Sequence, residues 1–230
     1  MSGRYAVYFA PEPGSALARF GTSWLGYDVV TGEVMTQPVV AGIDPERLRA
    51  ITAEPRRYGF HATLKPPFFL AEGVNAAALA NAVAELAGGI PAFGAPPFCL
   101  SRISGFLALT LSAPCAAMRQ LADRCVEALD AFRAPPSATE LARRRRANLT
   151  PRQDELIARW GYPYVMNEFR FHMTLTARLD PAESDTVSAA LAPLVAPFCE
   201  AALAVDAISL FHQPRDDAPF RLLRRYALTG

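Results

Sequence analysis

At 230 residues, the chain is long enough for one large domain or for two small lobes that share a core. Its composition is 51% hydrophobic and 20% charged, which is ordinary for a globular protein, and its formal net charge is only +1. A charge this small excludes a strong global field that would gather a long polyanion. We therefore favour a small ligand held by a local cluster of charge over bulk nucleic-acid binding.

The sequence also indicates whether to expect a membrane span, disulfide bonds or a metal site. No segment reaches the roughly 18–20 consecutive apolar residues of a membrane-spanning helix, so we expect no membrane partner. The four cysteines form no C-x-x-C pair, and we interpret them as reduced thiols of a cytoplasmic protein (Cys99, Cys115, Cys125 and Cys199). Because the chain has only three histidines, we expect neither a metal site nor a cofactor.

Strands and helices alternate along the first part of the chain. Apolar runs, proline and glycine breaks, and helix start and stop signals delimit them. The predicted elements are a strand at 4–10, a helix at about 15–25, a strand at 57–70, a helix at 75–88, two strands within 98–111 that turn near 104–105, and a helix from 114 to about 132.

A connector of different character follows over 133–163. A capping-box pattern at 137–140 begins a short basic helix that carries the arginine run at 143–146. A helix of this kind is more often a solvated surface than an RNA contact. Thr150 is predicted to begin a second short helix that ends at Gly161, and the connector is a candidate lid.

The earlier order of elements then returns. The predicted elements are a strand at 164–179, a helix at about 180–192, and strands at about 202–212 and 219–229. Two copies of this order predict an α+β fold of two pseudo-symmetric lobes, with antiparallel sheets lining a central cleft and helices outside. We expect one bilobal domain, with lobe one mainly around 57–132, lobe two around 164–229, and strands that can exchange between them.

A five-residue motif, FHATL in the first copy and FHMTL in the second, is the strongest functional signal. Side chains alternate along a strand, so His61 and Thr63 share one face while their apolar neighbours pack into the core. His172 and Thr174 repeat this arrangement. A single copy of such a motif usually marks a structural histidine, but two of three histidines here have the same context.

Two facing His–Thr pairs suit phosphoryl chemistry. A neutral imidazole can deprotonate water while a protonated one gives its proton to the leaving oxygen. The ordinary histidine pKa of about 6.5 allows both states near neutral pH. The two threonine hydroxyls can donate to the non-bridging oxygens of the transition state. We expect this reaction to need no metal.

Further candidates follow from the same alternation. Lys65, the only lysine, shares the face of the first motif if the strand stays regular, and Arg170 shares the face of the second; either can bind a phosphate. Thr176 continues the second face as another candidate substrate ligand. Tyr162 and Tyr164 either line the cleft entrance or pack in the core.

With these residues, the sequence resembles the two-histidine (2H) phosphoesterase superfamily, whose hallmark is a pair of hydrophobic-His-x-Thr/Ser-hydrophobic motifs. The resemblance covers nearly the whole chain. It implies a duplicated, bilobal, LigT-like fold and a metal-free reaction at the shared cleft. It also implies that His61, Thr63, His172 and Thr174 are the catalytic residues.

The longer strings YGFHATLKPPF and RWGYPYVMNEFRFHMTLT resemble the branch associated with phosphonate metabolism and carbon–phosphorus lyase operons. This implies a phosphorylated sugar substrate, and we hypothesise that 5-phosphoribosyl 1,2-cyclic phosphate is opened to ribose 1,5-bisphosphate. The alternatives are a 2′,3′-cyclic phosphodiesterase or ligase acting on RNA ends, with a nucleotide substrate, and a non-catalytic module that binds a phosphorylated ligand. Pseudo-symmetry leaves both acid–base assignments of the histidines open, and the oligomeric state is not readable.

Overall fold

The computed structural model describes residues 3–145 and 149–230. Within them the strands are β1 (Arg4–Phe9), β2 (Ala62–Phe69), β3 (Phe93–Ala95), β4 (Phe98–Ile103), β5 (Phe106–Leu111), β6 (His172–Thr174), β7 (Leu203–Val205), β8 (Ala207–Gln213) and β9 (Arg221–Ala227). The helices are α1 (Ala16–Leu25), α2 (Pro45–Ile51), α3 (Ala53–Arg56), α4 (Ala76–Gly88), α5 (Ala116–Ala128), α6 (Ala138–Arg145), α7 (Pro151–Trp160) and α8 (Pro181–Val195).

The main sheet has seven strands in the order β4-β5-β6-β2-β1-β8-β9, and all neighbours are antiparallel. A second, two-stranded sheet joins β3 to β7. The two motif strands, β2 and β6, are therefore adjacent at the centre of the main sheet. They are joined by one residue pair, Ala62 with Met173. The predicted α+β class with antiparallel sheets is confirmed, while the proposed division into lobes stays a prediction.

The hydrophobic core lies on one face of the main sheet. Val7, Leu64 and Met173 from the central strands belong to the same buried cluster as apolar residues of α1, α4, α5 and α8. Complete burial of a side chain of this size contributes about 1.5–3 kcal/mol. Since the apolar positions of both motifs anchor to this core, the alternate positions are held on the opposite face of a rigid sheet.

Several predicted helix boundaries are confirmed by their caps. The Asn75 side chain accepts a hydrogen bond from Ala78 N at the start of α4, and Asp180 caps α8 in the same way. Thr150 and Gln153 form a reciprocal capping box at the start of α7, which ends at Gly161 with a left-handed backbone. These caps satisfy backbone groups that the first and last helical turns leave unpaired.

The predicted strand at 164–179 is largely wrong, because only His172–Thr174 is strand. A 3-10 turn occupies Met166–Glu168. Beyond Thr174, the backbone N–H groups of residues 175 and 176 both donate to the Leu107 carbonyl, so regular pairing stops. The predicted strand at 57–70 likewise begins only at Ala62.

Two short helices, α2 and α3, were missed by sequence reasoning. The N-terminal signal of α2 was present, since Asp44 caps it and Pro45 occupies its first turn. Its seven residues are too few for a clear amphipathic period. The 3-10 turn at Asp130–Phe132 ends the predicted 114–132 helix, of which Ala116–Ala128 is α-helical.

Candidate active site

Both His–Thr pairs lie on the face of the sheet opposite the core. Ala62 and Met173 are paired across β2 and β6 and are fully buried. The four motif side chains flank that pair and are only partly buried, as the alternation predicts (His61, Thr63, His172 and Thr174). The structure therefore brings the two motifs together on neighbouring strands.

Each imidazole is oriented by the backbone two residues before it. Nδ1 of His61 lies 2.9 Å from the Gly59 carbonyl oxygen, and Nδ1 of His172 lies 2.7 Å from the Arg170 carbonyl oxygen. A carbonyl only accepts, so each Nδ1 carries the proton and donates it. In the neutral ring, Nε2 then has a free lone pair for proton transfer. The repeated contact gives both histidines the same tautomer.

The Thr63 hydroxyl completes the first pair, because its Oγ1 lies 3.2 Å from Nε2 of His61. In the neutral ring this nitrogen accepts from the hydroxyl. The same hydroxyl can instead donate to a phosphoryl oxygen when a substrate occupies the cleft. An imidazole and a hydroxyl thus lie side by side on this face of the sheet.

Aromatic rings surround the histidines. The Tyr8 ring stacks on His61 with its centroid 3.8 Å away, and the Tyr58 centroid is 6.2 Å away. The Phe106 ring lies 5.7 Å from His172. Burial among these groups lowers the pKa of His61 to about 4, and burial also lowers the pKa of His172. Positive charge on His172 further lowers the pKa of His61, so the pair disfavours double protonation.

Lys65 does not lie open on the cleft face, and the expectation that it binds phosphate there is corrected. The β1–β2 pairing shifts register between Thr63 and Lys65, which breaks the strict alternation. The ammonium group is buried, donates to the Val126 carbonyl over 3.1 Å and lies 3.7 Å from Asp130. Burial lowers the pKa of Lys65 to about 8.

Thr176 is also corrected as a substrate ligand. Its side chain is buried, and its Oγ1 accepts a hydrogen bond from Leu107 N over 3.0 Å. The cause is the end of β6 at Thr174, after which the backbone turns toward Leu107. Counting in steps of two beyond the last strand residue therefore placed Thr176 wrongly.

The remaining candidates stay predictions. Arg170 is exposed, and its carbonyl holds the second histidine. Tyr164 is half exposed, and its ring lies 5.7 Å from that of Tyr162. Tyr162 packs beside a small buried cluster that includes Val126 of α5 and Leu156 of α7. In the 143–146 run, Arg145 pairs with Asp154, whereas residue 146 lies outside the described residues.

A hydroxyl and thiol cluster beside His172 was missed by sequence reasoning. Thr110 on β5 is directly opposite His172 on β6. Its Oγ1 lies 2.7 Å from Ser101 Oγ and 3.1 Å from Cys99 Sγ. Alternation along 98–111 places these side chains on one face, but only the strand order reveals that this face adjoins the second motif.

Comparison with known families gives one decisive match. A family model described as "Protein of unknown function (DUF1045)" matches residues 63–221. The chain belongs to this family. The matched span includes Thr63 and the whole second motif.

Two curated relatives of this family member cover nearly all of it. A protein of Janthinobacterium sp. (strain Marseille) named "Ribose 1,5-bisphosphate phosphokinase PhnN" is 39% identical over 99% of the chain. A protein of Laribacter hongkongensis (strain HLHK9) with the same name is 37% identical over 96% of the chain. The chain spans about half the length of these curated relatives, 51% of each.

Solved structures also show a likeness. A structure described as a phosphoesterase is 17% identical, with full coverage of both chains and a TM-score of 0.44. Escherichia coli LigT without ligand is 17% identical, with 100% of this chain and 99% of that chain covered and a TM-score of 0.44.

In residues 3–145 and 149–230, no group of three or more His, Cys, Asp and Glu side chains is arranged to hold a metal ion. No helix in that part of the chain is long and apolar enough to cross a membrane.

Proposed function

We propose that this protein is a metal-independent cyclic phosphodiesterase that uses His61 and His172 as its acid–base pair. The observation that carries the proposal is the matched orientation of the two rings on adjacent strands, each with Nδ1 held by the carbonyl two residues earlier. Two titrating groups held on neighbouring strands suit a reaction in which one takes a proton and the other gives one, whereas a binding module does not need two.

The proposed reaction is attack of water on the phosphorus of a cyclic phosphodiester. The water oxygen bonds to phosphorus, and one imidazole takes the water proton at Nε2. The bond from phosphorus to the leaving sugar oxygen breaks, and the other imidazole gives its proton to that oxygen. Thr63 and Thr174 donate hydrogen bonds to the non-bridging oxygens. The product is a ring-opened phosphate monoester.

We further propose that the substrate is 5-phosphoribosyl 1,2-cyclic phosphate and the product ribose 1,5-bisphosphate. Support comes from the sequence resemblance to the phosphonate branch. The names of the twice-as-long curated relatives also support it, because ribose 1,5-bisphosphate is the compound on which a kinase so named acts. Opening the bond from phosphorus to O2 leaves the phosphate on C1. Arg170, which is exposed, is our candidate for the 5-phosphate.

The kinase part of that name does not fit these 230 residues. A G-x-x-x-x-G-K-[ST] loop holds phosphates with its backbone and its lysine. The only lysine here is Lys65, which follows Leu64 rather than a glycine. Lys65 is also buried against the Val126 carbonyl. We therefore propose hydrolysis, and not phosphoryl transfer from a nucleotide, for this part of the relatives.

The test is turnover of a panel of cyclic phosphates in excess chelator. The panel contains 5-phosphoribosyl 1,2-cyclic phosphate and 2′,3′-cyclic nucleotides. We expect His61→Gln and His172→Gln each to lower kcat/KM by about 10²–10⁴-fold. His212→Gln is the matched control, because His212 packs against Tyr5, a member of the core cluster on the other face.

Each result of the panel is decisive. Chelator-resistant turnover of the ribosyl compound, lost in both cleft variants and kept in the control, supports the proposal. Preference for 2′,3′-cyclic nucleotides would instead assign the enzyme to RNA ends. A folded protein that binds phosphorylated sugars but turns over no panel member would be a binding module, and the hydrolase proposal would be wrong.

A further inference from the structure

The two histidines have matched backbones but unequal surroundings. The fully buried Tyr8 ring lies on His61 at 3.8 Å with an interplanar angle of 29°, which is a stacked contact. Behind it, Tyr8 packs against Phe211 and Phe220 at 4.9 and 6.1 Å. The ring beside His172 is that of Phe106, which is tilted by 48° at 5.7 Å and only partly buried. One imidazole is thus covered by a fixed wall of aromatic rings and the other is not.

We propose that Tyr8 is a positioning residue that keeps His61 neutral, so that His61 is the general base and His172 the general acid. This inference rests on the proposed function and resolves a choice that the duplicated motif leaves open. In the step above, Nε2 of His61 takes the proton from water. Nε2 of His172 then supplies the proton to the leaving oxygen.

Two opposing effects of the Tyr8 ring must be compared. An aromatic face attracts a cation, which favours imidazolium by about one pKa unit or less at a partly solvated site. Covering the imidazole excludes water, and loss of solvation disfavours the charged form by up to about three to five pKa units. Exclusion of water is the larger effect. The pKa of His61, which burial lowers to about 4, agrees with this ordering.

The other groups around His61 do not reverse this balance. The Gly59 carbonyl, which accepts from Nδ1, favours imidazolium, but burial has the larger effect on the pKa of His61. Tyr58 is 6.2 Å away, and positive charge on His172 further disfavours imidazolium. Arg4, on β1, acts on Tyr8 electrostatically, as do Tyr58 and Tyr162. Burial raises the pKa of Tyr8, so its hydroxyl carries no negative charge that would hold a proton on His61.

The Tyr8 hydroxyl allows the ring to be tested separately. Its Oη is buried and has no hydrogen-bond partner within residues 3–145 and 149–230. Tyr8→Phe keeps the stacked ring and removes this hydroxyl, which contributes nothing to the contact with His61. Tyr8→Leu removes the ring and lets water approach the imidazole. Phe106→Leu is the matched control, because it removes the ring beside His172.

The first measurement is an NMR titration of the three histidine rings in the wild-type protein, with each ring assigned by its His→Gln variant. We expect His61 to titrate below His172. Tyr8→Leu should raise the pKa of His61 by about one unit or more. Tyr8→Phe should leave that pKa unchanged, and Phe106→Leu should change His172 but not His61.

The second measurement is the pH dependence of kcat/KM. In Tyr8→Leu the acidic limb should move upward by the same amount as the pKa of His61, whereas Tyr8→Phe should keep the wild-type profile within about twofold. The inference is overturned if His61 titrates at or above His172 in the wild-type protein, or if Tyr8→Leu leaves its pKa unchanged or lowers it. It is also overturned if Tyr8→Phe loses as much activity as Tyr8→Leu with the titration unaltered, since the hydroxyl would then act on the substrate.

The two proposals fail in different ways. The titration order is read from wild-type protein without turnover, so neither a badly folded Tyr8→Leu variant nor an inactive enzyme can hide it. Absence of turnover on the whole panel overturns the phosphodiesterase, whatever the titration shows. Turnover with His61 titrating at or above His172 overturns only the assignment of base and acid.

Discussion

Thr63 and Thr110 carry the same hydroxyl group on one face of the sheet but have different partners. Thr63 Oγ1 lies at the reactive nitrogen of His61, whereas Thr110 Oγ1 is paired with Ser101 over 2.7 Å. The first can turn toward a phosphoryl oxygen, and the second stabilises a neighbouring cluster. Equal chemistry on one sheet face therefore gives two different roles.

Removing a transition-state donor should lower the rate more than it weakens binding. We expect Thr63→Val to lower kcat by about 10²-fold, since loss of one such donor costs about 10²–10³-fold. Thr63→Ser, which keeps the hydroxyl, should retain activity within about tenfold. Thr110→Val is the control and should change kcat by less than about threefold. Equal losses in Thr63→Val and Thr110→Val would assign the motif hydroxyl to packing alone.

Lys65 should influence stability rather than catalysis. The unfolded chain keeps its proton to about pH 10.5, whereas the folded protein releases it near pH 8, where burial places the pKa. The unfolded state therefore binds more protons between these values, and stability rises with pH across them. Between pH 8 and 10.5, the free energy of unfolding of the wild-type protein should rise by at most about 3 kcal/mol relative to that of Lys65→Met. Denaturant unfolding of both proteins at each pH measures this difference. KM should be unchanged in Lys65→Met, and a large rise in KM would return Lys65 to the cleft.

Residue-scale prediction from sequence succeeded where alternation was local and failed where the strand was irregular. His61 and Thr63 are two residues apart, so a short strand suffices to bring them to one face. The placement of Lys65 on this face assumed regular pairing past the register shift in β2. The placement of Thr176 assumed that β6 continues for two residues beyond its actual end at Thr174. The contact of Tyr8 with His61 could not be predicted, because it depends on the long-range pairing of β1 with β2 and on its register.

At the scale of elements, the segment before each motif matters as much as the strand. Gly59 has φ +76°, a backbone conformation that residues other than glycine adopt only with strain. A Cβ at this position would lie 2.0 Å from Val29 Cγ1. The same residue supplies the carbonyl that orients His61. One glycine thus sets both the turn and the tautomer of His61.

We expect Gly59→Ala to lower both stability and activity. The close approach to Val29 forces either the Val29 side chain or the backbone of residue 59 to shift, and a backbone shift moves the carbonyl that holds Nδ1 of His61. Gly73→Ala is the matched control, because Gly73 has φ +77° but no atom lies within 4 Å of an added Cβ. Both variants should lose about 1 kcal/mol from the positive φ. Only Gly59→Ala should lower kcat/KM by about tenfold or more, and equal kinetics in both variants would argue against this role of the turn.

Helix prediction was more reliable than strand prediction here. Helices such as α4 and α7 carry local cap signals at Asn75 and Thr150, and those signals are sufficient by themselves. The segment at 164–179 is apolar and alternating, which is typical of a strand, but only His172–Thr174 pairs in the sheet. The backbone N–H groups of residues 175–177 donate to the Leu107 and Ile51 carbonyls instead. Such partners are distant in sequence and leave no local signal.

For the molecule as a whole, we expect maximal activity at acidic pH. Burial lowers the pKa of His61 to about 4 and lowers that of His172 below its ordinary value of about 6.5. With His61 as base, kcat/KM rises as that residue loses its proton and falls as His172 loses its own. We expect a bell-shaped kcat/KM profile with its maximum between about pH 4 and 6.5, measured at saturating chelator. A maximum above pH 7 would contradict the lowered pKa values of the two histidines in the free enzyme.

The strand order also has a consequence for how the chain can be divided. β6, which carries His172, pairs with β5 and β2, and β8 pairs with β1, so the later part of the chain is built into partners from the earlier part. A break in the connector between α6 and α7 would separate the histidines into two fragments, each of which exposes the edges of unpaired strands. Complementation should therefore be obligatory: each fragment alone is inactive, and co-expression restores a single reassembled enzyme. Two copies of a motif need not mean two independent folding units, and here the two histidines are neighbours only when the two stretches of chain are interleaved.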